Sequence, residues 1–200
     1  MTALGILKAG CVYLPMDSMY PQERLNYMTE IGNVTTVIVE NKENGAAFDR
    51  RIHTLDYREL IKQTERFVVQ NNNMTETAYV LFTSGSTGNP KGIPITHEAV
   101  INLVESLGDY LNPMWNVIGC IAPVVFDMSV GQMYYCLLTG RKLVLVPDDI
   151  KVFPDQLLQY LKDKGVESCD ITPMHLQAVM RYTQVKNKEF QYFPKEIISS

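Results

Sequence analysis

The 200 residues carry a formal charge of −4, with 46% hydrophobic and 20% charged residues. A chain of that length and apolar content buries one sizeable core or two small ones. Its mild acidity and the lack of any Lys/Arg block argue against a surface built to neutralise a nucleic-acid backbone. The N-terminal MTALGILKAG has no basic leader, holds Lys8 within its apolar run and is too short to span a bilayer, which predicts a cytoplasmic chain with no membrane partner.

In chain order, residues 1–9 read as a helix stopped by Gly10, and CVYLP (11–15) as a short strand. Pro21 opens a helix, PQERLNYMTEI, whose Leu25, Met28 and Ile31 recur at helical spacing. VTTVIVE (34–40) is rich in β-branched residues and predicts a buried strand, and Asn41 to Ala47 and Gln70 to Thr75 have the composition of loops. AYVLFT (78–83) is a strand that feeds a glycine-rich run. After it, GIPIT is extended, and a helix is expected over about 97–110.

The second half continues with a strand at VIGCIA (117–122), a helix at about 128–138 ended by Gly140 and a strand at KLVLVP (142–147). A helix follows at about 155–163, then a strand near ESCDIT, a helix opened by Pro173 and a last strand, EIISS. Apolar strands alternating with helices predict an α/β fold with a mostly parallel sheet flanked by helices. Both ends of the sequence read as lying inside continuing structure, so the chain is expected to be a fragment.

Cys11, Cys120, Cys136 and Cys169 are scattered without CxxC spacing, which predicts buried, reduced thiols. His53, His97 and His175 are equally dispersed. A metal site made of protein ligands alone is not expected.

The run LFTSGSTGNPKG (81–92) places Ser and Thr hydroxyls, three glycines and Lys91 behind a strand. Such a loop can turn several N–H groups inward around an anion, and phosphate is the natural guest. It is not a P-loop of the GxxxxGK[ST] type, because Pro90 precedes the lysine, Gly92 follows it and the next residues are extended. A flexible linker is also a poor description, since a strand precedes the run and Pro90 stiffens its end.

The stretch YVLFTSGSTGNPKG (79–92) resembles the phosphate-loop signature of the adenylate-forming enzymes, which include acyl-CoA synthetases, luciferases and nonribosomal peptide synthetase adenylation domains. LGILKAGCVYLPMDSMYPQERLNYM (4–28), His97 in ITHEAVINLV and FDMSVGQMYYCLLTGRKLVLVP (126–147) resemble further family segments in the required order. The likeness runs from Leu4 to about Ile198 and is nearest to peptide synthetase adenylation domains. It implies that residues 1–200 are part of the large N-terminal domain of such an enzyme, without its small C-terminal lid domain.

The resemblance implies a reaction in two halves. A carboxylate attacks the α-phosphorus of ATP, releasing pyrophosphate and giving an acyl-adenylate, and a thiol of a phosphopantetheine carrier protein or domain then takes the acyl group. ATP and Mg2+ are the implied cofactors and an amino acid the implied substrate. Thr83, Ser84, Gly85, Ser86, Thr87, Gly88 and Lys91 would contact phosphate, with Gly85, Gly88 and Gly92 supplying backbone freedom. Lys91 and His97 would be catalytic.

Asp127 has two readings. As a helix N-cap its carboxylate would accept a backbone N–H; by resemblance it pairs, as a buried carboxylate, with the substrate α-ammonium. Met128, Gly131 and Met174 would line an apolar side-chain pocket, or the methionines pack in the core. Asp17 and Arg24 match family positions but are explained equally well as a turn residue and a helix-surface charge. The family's adenine and ribose residues and its lid lysine have no counterpart within these residues, so little adenylation activity is expected of the chain alone. An acyl- or aryl-CoA ligase fragment and a catalytically silent remnant are the alternatives.

Overall fold

The computed structural model describes residues 2–45, 48–62, 73–84, 90–111, 113–186, 194 and 196–199. Two compact units divide the chain, Met1–Ala99 and Val100–Ser200.

The first unit begins with α1 (Thr2–Lys8) and α2 (Gln22–Ile31), the latter entered through Pro21. Leu25 and Met28 are buried as the spacing requires, but Ile31 is 52% exposed, because it closes the helix where the chain turns away at Gly32. β1 (Thr36–Val39) pairs in parallel with β2 (His53–Asp56), and two single-turn helices, α3 (Lys42–Gly45) and α4 (Tyr57–Leu60), lie near them. The sequence reads residues 41–47 as loop; α3 corrects this, Asn41 supplying a side-chain acceptor for the Asn44 N–H at 3.1 Å. β2 and α4 lack a clear periodic signal, and Asp56 caps α4 by accepting from the Arg58 N–H at 2.8 Å.

β3 (Thr77–Thr83) and β4 (Lys91–Thr96) form an antiparallel hairpin. The expected strand at 11–15 reduces to one parallel bridge: the Tyr13 N–H donates to Ala78 O and the Val80 N–H to Tyr13 O. Pro15 ends any further pairing by lacking an N–H. α5 (His97–Tyr110) starts directly from β4, and its first turn is capped by Thr96 Oγ1, which accepts from the Ala99 N–H at 3.2 Å.

The second unit follows the predicted alternation closely. Its elements are β5 (Val117–Cys120), α6 (Asp127–Thr139), β6 (Lys142–Leu145), α7 (Asp148–Lys151), α8 (Pro154–Lys164), β7 (Ser168–Ile171), α9 (Pro173–Lys186) and β8 (Glu196–Ser199). Only α7, a single turn, is unanticipated. Gly140 ends α6 at φ 73°, a left-handed cap that a residue with a Cβ adopts only under strain.

The four strands form one parallel sheet in the order β6-β5-β7-β8. From β5 the chain moves to one side to make β6, then returns past β5 to make β7 and β8. Right-handed crossovers therefore put α6 on one face and α8 and α9 on the other. The hydrophobic core agrees: Leu157, Leu158 and Leu161 of α8 and Val179 of α9 pack on Ile121, Val144, Cys169 and Ile171.

Glu167 holds the entry to this sheet, its Oε2 accepting from the Asn116 N–H at 2.7 Å and the Val117 N–H at 3.3 Å. Arg141 Nε donates to Trp115 O at 3.0 Å, and the guanidinium lies 4.7 Å from the Tyr135 ring centre.

Three of the four thiols are buried as expected, and Cys11 is the exception, exposed beside the turn at Gly10. Burial pushes the thiols of Cys120, Cys136 and Cys169 up from 9.0 to about 11, 12 and 12. A thiol that stays protonated when folded but ionises near pH 9 when unfolded favours folding fully below that pH, and its contribution is lost as pH rises towards the folded value. The melting temperature is therefore expected to fall from pH 9 upwards. In a Cys136→Ala/Cys169→Ala variant the same titration should have a shallower slope, and equal slopes would contradict the burial account.

Candidate functional site

In the first unit the hairpin register sets the geometry. Thr83 stands directly opposite Lys91 in the antiparallel ladder, so the last residue of β3 and the first of β4 are neighbours at one end of the hairpin. Thr83, Ser84 and Lys91 are all exposed, and the Lys91 ammonium makes no ion pair among the described residues. Gly85, Ser86, Thr87 and Gly88, predicted to touch phosphate, lie outside the described residues.

Gly92 is a correction. It sits within β4 without a positive φ, and a Cβ there would meet Phe82 Cζ and Val80 Cγ1, both at 3.2 Å. Its glycine identity answers close packing beneath Phe82, with no role in backbone freedom.

His97 is not brought to Lys91. Six residues of extended chain separate them, about 20 Å at strand rise. The histidine is half-buried at the far end of the hairpin, beside a cleft of about 400 Å3 that Cys11, Thr75, Glu76 and Thr77 also line. Asp17 is the turn residue it was read to be, accepting from the Met19 N–H at 2.9 Å. Arg24 stacks its guanidinium 4.1 Å from the centre of the Tyr20 ring, with Nε buried, so it is more than a surface charge.

In the second unit Asp127, Met128 and Gly131 all lie in the first turns of α6, and Met174 is the second residue of α9. These helices follow β5 and β7, which are adjacent and parallel, so both helix starts stand at the carboxyl ends of neighbouring strands. The direction in which successive strands are added reverses here, β6 lying on one side of β5 and β7 and β8 on the other, which makes this edge the switch point of the sheet, the place where open α/β sheets take ligands.

Asp127 differs from both of its readings in detail. The N-cap position belongs to Phe126, which makes no side-chain capping bond, and Asp127 is the first helical residue. Its Oδ1 accepts from the Met128 N–H at 2.8 Å, and the side chain is exposed where a buried carboxylate was expected. The bond orients the carboxylate and places negative charge at the positive end of the helix dipole.

Met128 is half-buried and Met174 is 77% exposed, so Met174 is not a core residue of this unit. A Cβ at Gly131 would meet Leu107 Cδ1 at 3.4 Å, ordinary contact, which places that side of α6 against α5. The turn carrying Met174 is held by Thr172, whose Oγ1 lies 2.7 Å from His175 Nδ1 and accepts from the His175 N–H at 3.4 Å. Neither Thr172 nor the buried Gln132 of α6 stands out from composition alone; the one signal is a polar residue inside an otherwise apolar periodicity.

The AMP-binding enzyme profile matches residues 1–196. The chain belongs to the AMP-binding enzyme family. Over 200 residues it is 34% identical to bacitracin synthase 1 of Bacillus licheniformis, a match covering 98% of this chain and 4% of that protein. It is 34% identical to surfactin synthase subunit 1 of Bacillus subtilis (strain 168), covering 87% of this chain and 5% of that protein. The chain thus spans only a small part of these curated relatives.

Among solved structures, the AMP-binding fold is shared with the Klebsiella oxytoca NpsA N-terminal subdomain at a TM-score of 0.79 and 21% identity, covering 99% of this chain and 50% of that one. A four-domain nonribosomal peptide synthetase bound to AMP and glycine superposes at a TM-score of 0.73 with 26% identity, covering 90% of this chain and 13% of that one. The chain is therefore an AMP-binding, adenylate-forming-type sequence with the fold of that superfamily's N-terminal domain, and its relatives are nonribosomal peptide synthetases. Among the described residues no helix is long and apolar enough to cross a membrane.

The different settings of the cysteines give a direct check on this placement. Iodoacetamide at neutral pH is expected to label the native chain once, at Cys11, and all four cysteines after denaturation. Rapid native labelling of Cys169 would contradict the closed face of the sheet beneath α8 and α9.

Proposed function

We propose that this chain supplies the phosphate-binding hairpin and the substrate-carboxylate side of an ATP-dependent amino-acid adenylating enzyme. The observation that carries this reading is the placement of Asp127 and Met174 together at the switch point of a parallel sheet, in a chain whose hairpin ends in an exposed Thr83–Lys91 pair.

Thr83, Ser84 and Lys91 fit an anionic guest: two exposed hydroxyls and a cation without an ion pair among the described residues stand at one end of the hairpin. There Lys91 stabilises charge that accumulates on the phosphates as the carboxylate oxygen attacks the α-phosphorus and the bond to pyrophosphate breaks. Gly85, Ser86, Thr87 and Gly88 complete the cradle with hydroxyls and N–H groups. Bound magnesium would supply further positive charge against the phosphates beside the Lys91 ammonium.

Asp127 is the partner for the α-ammonium. Its Oδ1 is occupied by the Met128 N–H, leaving Oδ2 for a charge-assisted bond at a strand end where the amino acid lies. Met128, Gly131 and Met174 form the wall around the substrate side chain. His97 stands at the far end of the hairpin and acts on the reaction through the packing of the β4–α5 junction.

In the full-length protein the acyl-adenylate passes to the thiol of a phosphopantetheine carrier. Residues 1–200 form part of the adenylation domain, matching half of one neighbouring N-terminal subdomain. Little or no pyrophosphate exchange is expected of residues 1–200 alone. The full-length protein works in the cytoplasm.

The test is amino-acid-dependent pyrophosphate exchange in the full-length protein. Lys91→Ala is expected to lower kcat by about 10²–10³-fold. Asp127→Ala should raise KM for the amino acid at least tenfold, roughly 1.4 kcal/mol, while leaving KM for ATP in place. Exchange that is unaffected by both substitutions would rule the reading out.

A further inference from the structure

Among the described residues Lys91 is held by its backbone alone. Its ammonium has no ion pair and no hydrogen-bond partner there. The lysine is also the first residue of β4, and Pro90 before it has no N–H with which to extend the ladder. Where such a cation stands depends on how firmly its strand end is kept against β3.

The residue after it should loosen that end. Gly92 lies inside a strand with no side chain to pack, and a glycine there weakens a strand. An aromatic ring makes up the loss. Phe82 stands directly opposite Gly92, and a Cβ built on the glycine would meet Phe82 Cζ at 3.2 Å, Phe82 Cε1 at 3.5 Å and Val80 Cγ1 at 3.2 Å. The half-buried ring therefore reaches across the strand pair and, with Val80 beside it, covers the face that the glycine leaves bare.

Strand alternation puts this contact and the phosphate-facing pair on opposite sides of the hairpin. Val80, Phe82 and Gly92 share one face, whereas Thr83 and Lys91, opposite each other, share the reverse face with the buried Leu81. Phe82 thus braces the backbone from behind, one residue from Lys91.

We infer that Phe82 is a positioning residue for the adenylation step: its ring, laid across Gly92, fixes the end of β4 so that the Lys91 ammonium is held where charge gathers on the phosphates. This rests on the proposed role of Lys91 and adds a residue that acts only through that lysine. A group stabilising a transition state by charge must already be in place when the reaction occurs, and misplacing it by about 1 Å costs up to about a hundredfold in rate.

The experiment is a double-substitution cycle in the full-length protein, read as amino-acid-dependent pyrophosphate exchange, with a melting curve for each variant as the check on folding. Phe82→Leu keeps an apolar side chain in β3 but takes the ring off Gly92. It should lower kcat about tenfold and leave KM for the amino acid within about twofold. In a Lys91→Ala background the same substitution should lower kcat by less than about twofold, because nothing is left for the ring to position. Phe82→Val, which favours a strand but is too short to cover the glycine, carries the same cycle should the leucine variant fail to fold. Equal losses with and without Lys91, or no loss in a folded Phe82 variant, overturn the role of Phe82 and leave that of Lys91 standing. Wild-type exchange in Lys91→Ala overturns the reading of the lysine and this inference with it.

Discussion

The parallel pairing of β5 with β7 is the constraint on which the second unit depends. Gly119 and Cys120 sit in register with Cys169 and Asp170, and the two strands send their following helices away in opposite senses. Main-chain hydrogen bonds in a parallel ladder fix that adjacency, while burial on both faces makes a register slip costly. The helix starts that leave this point carry Asp127 and Met174. A carboxylate and a flexible thioether, 47 positions apart in the chain, thus come to the same sheet edge because of strand order.

The first unit achieves the same end with fewer parts. Antiparallel register places Thr83 against Lys91 at one end of the hairpin. Charge and hydroxyls end up at one pole of the hairpin and His97 at the other. Close packing of Gly92 under Phe82 and Val80 keeps the stem narrow just behind the lysine.

Much of this architecture is legible from residue order. Strands at 78–83, 117–122 and 142–147 and the helices opened by Pro21 and Pro173 stand where apolar period, proline and glycine put them, because in a covered parallel sheet local pattern and tertiary burial agree. The pattern failed where a few residues carried too little period, as in α3, β2, α4 and α7, or where an apolar residue fell at a helix end, as with Ile31. For the candidate site, the loop's composition leads to the expectation of an anionic guest, but only register shows His97 removed from Lys91, and only burial separates the exposed Cys11 and Asp127 from their expected interior settings.

The central claim is that the amino acid lies at the switch point of the parallel sheet with its ammonium on Asp127. A crystal structure of the intact protein with a non-hydrolysable aminoacyl-adenylate analogue tests it most directly. The account predicts the analogue's amino nitrogen within about 3 Å of an Asp127 carboxylate oxygen. An analogue seated instead in the cleft beside Cys11 and His97, with Asp127 facing solvent, would contradict it.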